Sequence, residues 1–210
     1  MFRLPRPATP SDPLRLAVFI SGLGLGMLAL LRHQEESDCA HTTTVVISNV
    51  VGVAGLARAQ EYGVMTEVIE HRGQPGEDPL SGRQAHESVI HRRLVELEIE
   101  AVILSGYMRI LSPWFIERWE GRLLNIHPSL LPEFPGAHAH RDVLIAGVEL
   151  TGCTVHFVDT GTDSGKIIAQ REVAVHFDDT EESLSQRVKQ VEHILYPQVI
   201  DAYASGNIPL

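Results

Sequence analysis

The 210-residue chain carries 17 Lys+Arg against 27 Asp+Glu, a formal net charge of −10, and its basic residues are dispersed. That argues against the basic face a nucleic-acid binder needs, while the length suits one α/β domain with a substantial core. The two cysteines, Cys39 and Cys153, form neither metal-type spacing nor a disulfide framework, so a reducing, cytoplasmic setting is expected.

Residues 1–13 hold four prolines and no apolar periodicity, and are expected to be a disordered tail ahead of a single domain over 14–210. Residues 16–21 are a continuous apolar run typical of a central parallel strand. The run extends to Leu31, yet it is too short to span a bilayer, three glycines interrupt it, and no Ala-x-Ala site follows. Neither a membrane span nor a signal peptide is expected. The segment Gly22-Leu-Gly-Leu-Gly26 then leads into a helix expected through Arg32. A glycine-rich turn at a helix N-terminus offers free backbone N–H groups and a positive dipole end to a phosphate. A dinucleotide fingerprint does not fit, because Met27 stands where Gly-x-Gly-x-x-Gly needs its third glycine and the second strand ends in Asn49, not an acid.

A β-branched strand is expected over 43–48, a helix over 55–62 that Gly63 can end, and a third strand over 66–69. Residues 71–82 are polar and rich in Gly and Pro, a loop. Val89, Ile90, Leu94 and Leu97 recur at helical spacing within 83–97. A buried strand over 101–104 leads to Gly106-Tyr-Met-Arg-Ile-Leu111, and a short helix over 113–119 opens on proline.

The apolar strand 123–127 stops at Asn125 and His127 and meets three prolines and Gly136. Two positions apart on a strand, those side chains share one side of the sheet, at the end where open α/β sheets bind ligands. An amide donor beside an imidazole suits acyl transfer: the amide can hydrogen-bond a developing oxyanion, and the imidazole can stabilise that charge or move a proton. His138 and His140 suggest metal by spacing, but no carboxylate or cysteine ligand is suitably placed nearby, so no metal is expected. A helix over 140–147 precedes strands over 153–158 and 166–175. Asp179-Thr-Glu-Glu182 reads as a capping box with Asp179 at the N-cap. The last helix carries Leu184, Val188, Val191 and Leu195 on one stripe, a kink site at Pro197, and Gly206 past its end. Its polar face presents Lys189 and Glu192.

The stretch Asn125-Ile-His-Pro-Ser-Leu-Leu-Pro132, with the later Val155-His-Phe-Val-x-x-x-x-Asp163-x-Gly165, resembles the folate-dependent formyltransferases. The resemblance runs from about Leu14 to Asn207, with shorter matches at 46–49, 105–113, 136–140 and 192–197. It implies a Rossmann-like formyltransferase fold, a mostly parallel twisted sheet with helices on both faces. The implied reaction moves the formyl group of 10-formyltetrahydrofolate to a primary amine, that of glycinamide ribonucleotide, in purine biosynthesis. Asn125, His127 and Asp163 are the implied catalytic residues, the 159–165 loop carrying Asp163 towards His127, where a carboxylate favours the charged imidazole. By the same resemblance Arg83, Met108, Arg109, Ile110 and Leu111 serve the folate site with Asn125, while Lys189 and Glu192 reach the phosphate and ribose of the ribonucleotide. The partners are therefore small molecules, with no nucleic acid or membrane, and the chain is expected as a monomer or homodimer.

One segment departs from the family. Where its members read Gly-Ser-Asn to hold the phosphate, this chain reads Gly24, Leu25 and Gly26, keeping backbone donors but losing a hydroxyl and an amide. Three alternatives follow: a relative acting on another amine such as an amino sugar; a formyltetrahydrofolate hydrolase, which usually carries an additional N-terminal domain absent here; and a folate-binding protein without turnover.

Overall fold

The computed structural model describes residues 3–36, 38–71 and 79–208. In chain order the elements are β1 (Leu14–Ile20), α1 (Leu25–Glu36), β2 (His41–Ser48), α2 (Ala54–Glu61), β3 (Met65–Val68), α3 (Pro79–Glu96), β4 (Ala101–Leu104), α4 (Pro113–Trp119), β5 (Leu123–His127), α5 (Ala139–Ala146), β6 (Leu150–Phe157), β7 (Ile167–Ala174) and α6 (Glu181–Ala204). Seven strands form one sheet in the order β3-β2-β1-β4-β5-β6-β7. The first five pair in parallel, and β6 and β7 add antiparallel.

Strand β1 is central, and its residues from Leu16 to Ile20 are fully buried, because neighbours flank it and helices cover both faces. Alternation divides it. Leu16, Val18 and Ile20 enter one core with Met27, Leu30, Val143, Leu184 and Val188 from α1, α5 and α6. Ala17 and Phe19 enter the other with Ile90, Leu94, Phe115 and Trp119 from α3 and α4. The expected α/β class, mostly parallel sheet and two helical layers are thus present.

The chain leaves β1 for β2 on one side, and returns to β4 on the other side. This reversal opens a crevice beyond the C-terminal ends of β1 and β4, where α/β sheets bind ligands. Across it the Ser21 N–H donates to the Gly106 carbonyl at 3.1 Å, and the Met108 N–H donates to Ser21 Oγ at 2.8 Å. The glycine loop and the segment after β4 are thereby fixed to each other.

Three local expectations are corrected. Residues 3–13 are not a disordered tail: the Arg3 N–H donates to the Glu120 carbonyl, the Ala8 N–H to the Ala204 carbonyl, Arg6 pairs with Glu100 at 2.8 Å, and Ala8 is buried. Prolines rule out helix but permit an extended strap, which these anchors hold. Helix α3 begins at Pro79, so 79–82 are helical, proline being suited to a first turn; the rest of the expected loop, 72–78, lies outside the described residues. The α6 N-cap is Thr180, whose hydroxyl accepts from the Ser183 N–H while Ser183 Oγ accepts from the Thr180 N–H. Asp179 instead takes Arg187 at 2.7 Å, and that guanidinium holds its carboxyl well below the usual range. The helix continues through Pro197. Among the described residues no helix is long and apolar enough to cross a membrane.

Candidate active site

Strand β5 delivers Asn125 and His127 to one end of the sheet, between parallel β4 and antiparallel β6, with Asn125 opposite His156. His156 Nδ1 lies 2.8 Å from the Phe157 carbonyl, which can only accept, so that nitrogen carries the proton. Its Nε2 is then an acceptor and takes one N–H of the Asn125 amide at 3.2 Å. Burial pushes the His156 pKa down, which keeps the ring in this neutral form. His156 thereby fixes which end of the Asn125 amide points where, leaving the second N–H for a ligand.

Asp163 sits on the loop after β6 in a left-handed conformation, φ +52°. Its Oδ2 accepts the Gly136 N–H at 2.8 Å and lies 3.3 Å from His127 Nδ1, while Oδ1 lies 3.7 Å from His156 Nε2. His127 Nε2 faces the Phe134 carbonyl at 2.9 Å. Both ring nitrogens of His127 thus face oxygen. The three residues named from sequence are therefore brought together.

Two cavities flank this cluster. One, of about 140 Å³, is lined by Asn125, His156 and Asp163 with Arg109, Ile110 and Leu111. The other, of about 380 Å³, is lined by Gly24, Leu25, Gly26, Met108, Lys189 and Glu192, among others. The residues expected around folate are thus divided: Met108, 74% exposed, belongs to the larger cavity. Arg83 lines neither, and its charge instead acts on buried Glu87 within α3, drawing down a carboxyl that burial raises. His127 also lines neither; it stands behind Asp163 with 5% of its side chain exposed.

In the larger cavity the N-terminus of α1 meets Lys189 and Glu192 from α6. Glu192 is half-buried rather than on a solvated face, and burial pushes its carboxyl up to about 7 against the pull of Lys189. His140 reaches the same cavity, its Nδ1 buried without a hydrogen-bond partner and its pKa lowered first by burial and then by Lys189. His156 falls within the matching Val155-His-Phe-Val motif, but spacing along the chain gives no role to it or to His140. The pairing of His156 with Asn125 follows from the β5–β6 register, which spacing along the chain does not carry.

Residues 14–200 match the Formyl transferase family. The chain is 36% identical over 197 residues to the phosphoribosylglycinamide formyltransferase of Escherichia coli, covering 94% of this chain and 90% of that protein. It is 43% identical over 198 residues to the trifunctional purine biosynthetic protein adenosine-3 of Gallus gallus, covering 94% of this chain but 19% of that longer protein. The crystal structure of glycinamide ribonucleotide transformylase 1 from Symbiobacterium toebii superposes with a TM-score of 0.87 at 38% identity, covering 94% of this chain and 91% of that one. This chain belongs to the formyl transferase family.

Proposed function

We propose that the protein is a phosphoribosylglycinamide formyltransferase, moving the formyl group of 10-formyltetrahydrofolate to the primary amine of glycinamide ribonucleotide in purine biosynthesis. The observation that carries this reading is the meeting of a helix N-terminus, Lys189 and Glu192 in one cavity, which Ile126, the neighbour of Asn125 on β5, also lines. Positive partial charge from α1 and the Lys189 ammonium suit a phosphate, and the Glu192 carboxyl suits ribose hydroxyls. The folate would occupy the smaller cavity with Arg109, Ile110 and Leu111 along its wall. Free thiols at Cys39 and Cys153 favour a reducing, cytoplasmic setting.

In this reading the amine attacks the formyl carbon, and the second Asn125 N–H donates to the oxygen as it gains charge. The amine loses a proton and the departing folate nitrogen gains one. Asp163 stands where it can take the first and return it to the departing nitrogen, directly or through water, while His127 behind it holds the carboxylate in place.

Calorimetric titration with glycinamide ribonucleotide and with its unphosphorylated riboside tests the reading. The ribonucleotide should bind at least ~10-fold more tightly, and Lys189→Ala should remove that difference. Equal binding of both would favour an acceptor without phosphate, such as an amino sugar.

A further inference from the structure

At the opposite end of the sheet lies a second cluster. His33 from the last turn of α1, Cys39 from the following loop, His41 at the start of β2 and Asp201 from the last turn of α6 each offer one ligand atom, and the four atoms lie within 4.8 Å of one another. The two Asp201 carboxylate oxygens already meet the histidines, 2.7 Å from His33 Nε2 and 2.8 Å from His41 Nε2. The His41 side chain is fully buried, and a cavity of about 290 Å³ gives access past His33, Cys39 and Asp201. Two imidazoles, one thiol and one carboxylate are a four-ligand N/S/O set, the combination that a tetrahedral zinc ion takes.

We propose that His33, Cys39, His41 and Asp201 form a structural zinc site that clamps the end of α1 and the start of β2 to α6. The site is chemically balanced: one carboxylate and one thiolate neutralise a divalent ion, while the histidines remain neutral. Loading releases the thiol proton, and the protons now shared with Asp201 move to the far ring nitrogens. For His41 that nitrogen is Nδ1, at present 2.8 Å from Gln34 Nε2. The Gln34 amide therefore turns over on loading so that its Oε1 accepts from Nδ1–H, giving up a 3.3 Å contact with the Thr43 N–H. Strand N-termini surround this cluster, whereas the candidate active site lies beyond strand C-termini, so the ion serves stability and not formyl transfer.

The test uses the full chain stripped of metal and titrated with Co²⁺, then with Zn²⁺. Expected is an equimolar end point with a thiolate-to-cobalt charge-transfer band, displaced by Zn²⁺, kept in Cys153→Ser and lost in Cys39→Ser. Zinc should raise Tm by about 5 °C at saturating concentration, and Gln34→Ala should weaken binding ~10-fold. No saturable binding near 10 μM, or a cobalt band that survives Cys39→Ser, would overturn the proposal. Should a variant lose its circular-dichroism signature, the band and end point of the unaltered chain still decide.

Discussion

Asn125 lines the smaller cavity directly, whereas His127 is screened from it by Asp163. Under the proposed mechanism that ordering makes Asp163 the first proton acceptor, with His127 behind it. Asp163→Asn should therefore lower the rate of formyl transfer by ~10²–10⁴ and leave folate affinity within about twofold, measured by turnover and by folate titration. Parallel loss of both would mean that Asp163 builds the folate pocket instead. Glu192 offers a pH test. Its carboxyl sits at about 7 against an ordinary 4.5, so the folded protein prefers the neutral form. The resulting penalty is absent below about pH 4.5, grows as pH rises to about 7 and is complete above it. Glu192→Gln should thus stabilise the ligand-free protein by about 1 kcal/mol at pH 8, after allowance for partial solvent screening, and by nothing near pH 4, measured by urea unfolding. It should weaken the ribonucleotide at the same time, stability and function pulling apart at one side chain. Asn125 and His127 were legible because two-residue spacing on a strand fixes their common side. His156 was not, since its partner is set by which residue of β6 falls opposite Asn125.

At the scale of elements the N-terminus of α1 is where the proposed phosphate site can be probed. Gly24 takes φ +62°, a conformation that a side chain strains, so that glycine is fixed by the turn. Leu25 is half-buried in the cavity wall, and a serine there would restore a hydroxyl. Gly26 differs: a Cβ would come within 2.8 Å of Ser105 Oγ, so Asn at 26 requires Ser105 to rotate. Leu25→Ser should tighten the ribonucleotide ~3–10-fold, and Gly26→Asn should help only with Ser105→Ala beside it, both read by titration. An unchanged affinity for Leu25→Ser would mean that the loop does not touch the phosphate. Periodicity exposed most elements, but ends depended on local competition. Thr180 took the α6 N-cap because Asp179 was drawn to Arg187, a partner eight residues on. The strap over 3–13 is held by Glu100, Glu120 and Ala204, contacts too distant in sequence for composition to reveal.

At the scale of the whole molecule, alternating strands and helices implied a parallel sheet, and five of the seven strands follow that rule. The antiparallel pair β6 and β7 escaped because each strand looks alike from within, and only long-range pairing sets its direction. That pair nevertheless positions the centre: β6 sets His156 against Asn125, and the loop between β6 and β7 brings Asp163 to His127. Under the proposed function, sheet order and site chemistry serve one act, formyl transfer to a phosphorylated amine in this crevice. Single-turnover formyl transfer from 10-formyltetrahydrofolate, with glycinamide ribonucleotide and without any acceptor, tests it most directly. Formyl glycinamide ribonucleotide appearing only when the acceptor is present is the expected result. Formyl release at the same rate without acceptor, or tight folate binding with no transfer, would contradict it.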